Sequence, residues 1–149
     1  MKTMIKACLA IALAIGATGA RAGVYADDLG KCLVSSTTEA DRALMVKWIF
    51  SAMSRNRDIA QYVQMTPEVR DTLNRETAAL YMRLLTESCR TQTRDAARYE
   101  GAPAIGTAFG LLGQIATQGL FNDPAVAASI SELDKYYDQD KLKAIMEEK

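Results

Sequence analysis

Hydrophobic residues recur at helical rather than strand-like spacing over most of this chain. Few stretches alternate apolar and polar positions as an exposed strand would, and glycines and prolines punctuate the sequence at intervals that suit helices. The pattern predicts an all-α fold, a single compact bundle of four to six helices.

The first strong helix signal follows a polar break at residues 35–38. Thr38 and Asp41 have the spacing of a capping box, and the predicted helix runs to about residue 54. Its apolar positions are Leu44, Met45, Val46, Trp48, Ile49, Phe50, Ala52 and Met53. A narrow polar stripe interrupts them, formed by Lys47, Ser51 and Ser54. A helix that is apolar around most of its circumference is typically buried, so we expect it at the centre of the bundle.

A second helix begins at Thr66-Pro67-Glu68, where a capping residue is followed by proline and an acid. One apolar stripe along this helix is Val69, Leu73, Leu80 and Leu84, and the other is Ala78, Met82, Leu85 and Cys89. Because Cys89 belongs to the second stripe, we expect its sulfur to point inward. Gly101 ends the helical region, and Asp123 with Pro124 starts a last helix further on.

Glycines recur on one face of the predicted helix between them, at residues 104–121. Gly106, Gly110 and Gly113 fall in one stripe, and each weakens a helix by up to about 1 kcal/mol relative to alanine. We therefore expect a close approach of another backbone as compensation. The Gly-x-x-x-Gly spacing also occurs in membrane dimers. Two glutamines beside the stripe argue against membrane insertion, which leaves a packed helix or a groove for a partner or lipid.

The amino terminus has the three parts of a secretory signal peptide. Lys2 and Lys6 give it positive charge, residues 7–17 are apolar, and Ala20-Arg21-Ala22 is a small-x-small cleavage site. We expect cleavage after Ala22, with a second candidate site after Ala26. The predicted organisation is a signal at residues 1–22, a disulfide-tethered, loosely docked lead-in at residues 23–37, and a helical bundle at residues 38–149.

Export would leave two cysteines, Cys32 and Cys89, and an oxidising compartment such as the periplasm favours a disulfide between them. This bridge would close a loop of about 57 residues and stabilise the fold by roughly 4 kcal/mol in the chain-entropy model. Free or intermolecular thiols are the alternative. The chain has 18 basic and 18 acidic residues, and the signal removes three basic ones, so the remainder is acidic and unsuited to nucleic acid.

The chain contains no histidine. That excludes His-dependent catalytic triads, histidine zinc sites and the most common general base. Phosphate-binding glycine loops, dinucleotide-binding motifs and C-x-x-C redox pairs are also absent from the sequence. We therefore expect neither an enzyme nor a bound metal or cofactor.

Arginines form the strongest polar cluster. Arg90, Arg94 and Arg98 recur every four residues and share one helix face, with Arg83 a turn or two earlier. Guanidinium groups bind carboxylates and phosphates through paired hydrogen bonds, so this face suits an anionic partner. The alternative is a solvated helix face that Glu87 and Asp95 partly neutralise.

Three stretches resemble small exported proteins from Gram-negative bacteria that have no assigned function. They are residues 29–38 with Asp41-Arg42, then Lys47-Trp48-Ile49-Phe50, then Asn122-Asp123-Pro124-Ala125-Val126. The resemblance covers most of the chain after residue 22 loosely and these stretches more closely. It implies a periplasmic location and a helical fold, and it implies no activity.

The leading hypothesis is a non-enzymatic periplasmic binding protein whose partner is another protein, with an inhibitor or immunity-like role among the options. Its candidate binding residues are Arg90, Arg94, Arg98, Gly106, Gly110 and Gly113, and a homodimer through the glycines is also open. The alternatives are an acid or stress chaperone, since protonated carboxylates would leave a highly positive domain, and a lipid-binding or membrane-surface protein.

Overall fold

The fold is all-α, as the hydrophobic spacing predicts, and has more helices than expected. The computed structural model describes residues 23–148, so the predicted signal peptide lies outside the described residues. Eight helices form this part of the chain: α1 (Val24–Ser35), α2 (Glu39–Met53), α3 (Arg57–Ala60), α4 (Pro67–Arg83), α5 (Arg90–Tyr99), α6 (Ala102–Phe121), α7 (Pro124–Ser131) and α8 (Gln139–Glu147). A π-helical turn, Leu84–Ser88, joins α4 to α5, and a 3-10 turn, Glu132–Tyr136, extends α7.

The helix starts lie where the capping residues predict them. The Thr38 hydroxyl accepts from the Asp41 amide at 3.1 Å, and the Asp41 carboxylate accepts from the Thr38 amide at 2.9 Å. Thr66 caps α4 through the Val69 amide, and Asp123 caps α7. These local signals act within one turn of helix, so they do not depend on how the helices pack.

Helix α1 occupies the centre of the bundle, which corrects the expected loosely docked lead-in at residues 23–37. Ala26, Leu29, Gly30 and Leu33 are buried, and α1 packs mainly along α6. These four positions repeat at helical spacing and form one continuous face. The segment is short and preceded by a cleavage motif, which obscured this pattern in the sequence.

Helix α2 lies at the edge of the bundle, contrary to the expectation that it forms the centre. Only Met45 and Ser51 are buried on it, while Phe50 and Met53 are 50% and 55% exposed. The α1–α6 pair already fills the core with its own apolar faces. Helix α2 therefore covers that core with one face and leaves a second apolar face uncovered by the described residues.

Cys32 and Cys89 lie at disulfide distance, with the two sulfurs 2.07 Å apart, so the expected pair is brought together. Cys89 is buried, as predicted, although Met82 of the same predicted stripe is 59% exposed. The π-helical turn explains the difference, because its wider turn rotates Cys89 onto the face of Leu80 and Leu84. The bridge ties α1 to the end of this turn.

The carboxyl-terminal helices contribute little to the core. Every residue from 127 to 148 is exposed. The exposed large side chains of this part are Ile130, Leu133, Tyr136, Tyr137, Leu142, Ile145 and Met146. The bundle that buries the apolar core therefore ends with α6.

Candidate partner-binding surface

An apolar groove runs between the outer face of α2 and the carboxyl-terminal half of α6. Its lining residues are Val46, Lys47, Ile49, Phe50 and Met53 of α2 with Thr117 and Leu120 of α6, and it encloses about 570 Å³. We call it the α2–α6 groove. Its walls are almost entirely apolar.

The two serines of α2 face α4, which leaves the apolar face of this helix free to line the groove. Arg70 of α4 donates to the Ser54 hydroxyl at 2.7 Å and to the Ser51 carbonyl at 3.1 Å. The Trp48 indole donates to the Asn74 amide oxygen at 3.0 Å. The serines of the predicted polar stripe are thus buried against α4, and the opposite apolar face of α2 points away from it.

The groove continues toward the start of α2 as a second, smaller depression of about 350 Å³. Both depressions share Val46, Lys47 and Leu120, so they form one channel along α2. Glu39, Arg42 and Asp123 line the far end. The channel is therefore apolar over most of its length and charged where α2 begins.

The glycine stripe of α6 faces open space. A Cβ atom built on Gly106, Gly110 or Gly113 would have no described atom within 4 Å. The close backbone approach expected at these glycines is thus not made by residues 23–148. At the same helical spacing the stripe continues to Thr117, which lines the groove, so the glycine face leads directly into the α2–α6 groove.

The arginine face lies on α5 and does not line the groove. Arg90, Arg94 and Arg98 are all exposed on that helix. The Arg94 side chain pairs with Asp95 at 3.0 Å, and the Arg98 guanidinium lies 5.6 Å from the centre of the Tyr99 ring. Arg83 does not join this face, because it crosses to α2 and contacts Asp41 at 3.0 Å.

Two ionisable groups near α2 have shifted pKa values. Partial burial would raise the pKa of Asp41, but the hydrogen bonds from the Thr38 amide and hydroxyl and the charge of Arg83 outweigh it and hold that pKa below its ordinary value. Burial raises the pKa of Tyr81, whose ring packs against Trp48 and Phe109. Asp41 caps α2 and pairs with Arg83, Tyr81 packs among aromatic rings, and neither group lines the groove.

Among residues 23–148, no cluster of three or more histidine, cysteine or acidic side chains is arranged to hold a metal ion. No helix in the same range combines the length and apolarity that a membrane span requires.

Comparison with protein-family models, with curated proteins and with solved structures gives no match for this chain. A functional proposal therefore depends on the groove, the glycine face and the arginine face themselves. Sequence reasoning named the last two and missed the groove, because it assigned Phe50 and Met53 to the buried core. An uncovered apolar face could have been predicted from the sequence, because α2 carries more apolar surface than one packing contact covers.

Proposed function

We propose that this chain is exported through a cleaved signal peptide and acts in the periplasm as a non-enzymatic binding protein. Its partner is a helical segment of another protein, held in the α2–α6 groove. The signal-like amino terminus and the cysteine pair at disulfide distance support the export step. The resemblance to exported Gram-negative proteins agrees with this location.

The exposure of Phe50 and Met53 within one concave surface carries the proposal. Large apolar side chains that line a continuous depression are typical of interaction sites, whereas single exposed ones are common on any surface. Burial of each would stabilise a complex by up to about 1.5–3 kcal/mol. A few residues near the centre of an interface typically contribute most of its binding energy.

The shape of the surface favours a helix as the bound element. The groove lies between two helices, and apolar residues three and four positions apart on a partner helix would fill it. The open glycine face of Gly106, Gly110 and Gly113 would let such a helix approach α6 closely along its length. Arg90, Arg94 and Arg98 would attract an acidic part of the partner and speed its encounter.

Site-specific photo-crosslinking in living cells tests this proposal. A photoreactive residue at Phe50 should give a discrete adduct with another protein, and Leu120→Asp should abolish it. Met82 is the matched control position, because it is at least as exposed as Phe50 but lies on α4 outside the groove. Identical adducts at both positions, or none at Phe50, would contradict the proposal. Thermal melts would show that the variants remain folded.

An acid-activated chaperone is the second candidate, and the Asp41–Arg83 pair favours it. This contact links α2 to α4 across the bundle, so protonation of Asp41 would loosen α2 and enlarge the apolar surface. If hydrophobic-dye binding and client aggregation do not differ between neutral pH and about pH 2–3, this candidate fails. Liposome flotation would separately test the lipid-binding alternative.

A further inference from the structure

Glu100 supplies the cap that α1 lacks. Gly23 is the N-cap residue of α1 and has no side chain to accept the first free amides of the helix. Glu100, at the end of α5, does so instead: its two carboxylate oxygens accept from the Tyr25 amide at 2.9 Å and the Ala26 amide at 3.0 Å. The carboxylate therefore occupies the place of an N-cap side chain.

Glycine at position 23 leaves room for this carboxylate. A Cβ atom on residue 23 would overlap the carboxylate group of Glu100. The backbone nitrogen of Gly23 is bonded to the same Cα atom, so it lies within about 5 Å of that carboxylate. At this distance an opposite charge on the nitrogen would interact directly with Glu100.

The rest of the first turn is integrated into the fold. Ala26 is 2% exposed, and the Tyr25 ring stacks on Tyr99 with 4.8 Å between ring centres. Gly101, with a φ of 84°, ends α5 directly after Glu100. Cleavage after Ala26 would remove Tyr25, Ala26 and the partners of the Glu100 carboxylate, whereas cleavage after Ala22 removes none of them.

We propose that the Ala22–Gly23 bond is the processing site and that the new amino terminus of Gly23 pairs with Glu100. A signal peptidase and one water molecule would hydrolyse the amide. The C–N bond breaks, Ala22 leaves with a carboxylate, and the Gly23 nitrogen takes up protons to become an ammonium. Processing thereby places a full positive charge beside Glu100 where the precursor has a neutral amide. This inference rests on the proposed export.

The first test expresses the full-length precursor in a Gram-negative host and determines the amino terminus of the periplasmic product by intact mass and N-terminal sequencing. We expect a chain that begins at Gly23. A chain that begins at Asp27 would overturn this inference but leave the proposed export intact. An uncut chain would overturn both.

The second test asks whether the ammonium of Gly23 interacts with Glu100. Chains that begin at Gly23 are compared with chains that carry one additional alanine before it; each retains every buried residue of the fold. The added alanine should lower the Tm by about 2–4 °C, as expected for one partly exposed ion pair. In Glu100→Gln the ammonium faces only the positive end of α1, so the added alanine should leave the Tm unchanged or raise it.

Glu87→Gln is the matched control, since Glu87 is an exposed glutamate that lies in the π-helical turn and not at the start of α1. It should retain the full effect of the added alanine. Equal Tm values for the two chain starts in the wild-type background would overturn the ion pair. The same effect in the Glu100→Gln background would also do so, because the charge of Glu100 would then play no part.

Discussion

Gly30 of α1 faces the backbone of Ala108 in α6, with 3.6 Å between the Ala108 Cα atom and the position that a Cβ atom on residue 30 would take. The side chain of Leu111 lies closer still, at 2.9 Å from that position. The two central helices therefore pack closely at a position where α1 has no side chain. Small residues on α6, including Ala104 and Ala108, complete this buried seam.

Gly30→Val should lower the free energy of unfolding by about 1–3 kcal/mol, because a branched side chain would displace the Leu111 side chain and crowd the backbone of Ala108. Gly110→Val is the matched control, since a Cβ atom at Gly110 has open space around it. That variant should stay within about 0.5 kcal/mol of the wild type. Urea unfolding of both variants measures the difference. Equal losses would show that the seam tolerates larger residues.

The sequence predicts a close helix contact at the glycines of α6, whereas the close contact within residues 23–148 lies at Gly30 of α1. Gly106, Gly110 and Gly113 form a visible stripe, whereas Gly30 is a single glycine in a short segment. Helical spacing reveals which residues share a face. It does not reveal whether that face meets another helix of the same chain, because this depends on contacts between distant residues.

The same limit explains the error for α2. Capping signals at Thr38 and Asp41 act locally and correctly place its start. The orientation of α2 depends on Arg70, which binds Ser51 and Ser54 from another helix and holds these two serines inward, while Lys47 of the same predicted stripe lines the groove. No local pattern in α2 indicates that Arg70 binds this helix, so the groove can be identified only in the folded chain.

Replacement of Cys32 and Cys89 by alanine should lower the free energy of unfolding by about 2–4 kcal/mol. The bridge would close a 57-residue loop, so its loss increases the entropy of the unfolded chain. Urea unfolding with and without a reductant provides the measurement. The reductant should destabilise the wild type and leave the double variant unchanged. If the reductant does not change the free energy of unfolding of the wild type, and the wild type carries two free thiols, the bridge does not form.

Because of Asp41, the free energy of unfolding should decrease in acid. Because the pKa of Asp41 is lower in the folded chain, its contribution is complete above the unfolded value near 3.9 and is lost as the pH falls through the folded pKa. Asp41→Asn should cost roughly 1 kcal/mol at pH 6 and reduce the stability that is lost as the pH falls from about 4 to about 2. Asp71→Asn, at an exposed pair with Arg75, serves as the control. An unchanged pH dependence in Asp41→Asn would contradict this role.

Removal of residues 138–149 should leave the bundle intact, because residues 138–148 are all exposed. We expect the free energy of unfolding to change by less than about 0.5 kcal/mol. Leu112→Ala is the comparison variant with a large expected loss. Leu112 is fully buried in α6, and its truncation should lower the free energy of unfolding by about 2–5 kcal/mol. A loss of that size in the shortened chain would mean that α8 packs onto the bundle in solution. Its apolar residues Leu142, Ile145 and Met146 would then be the contacts to examine next.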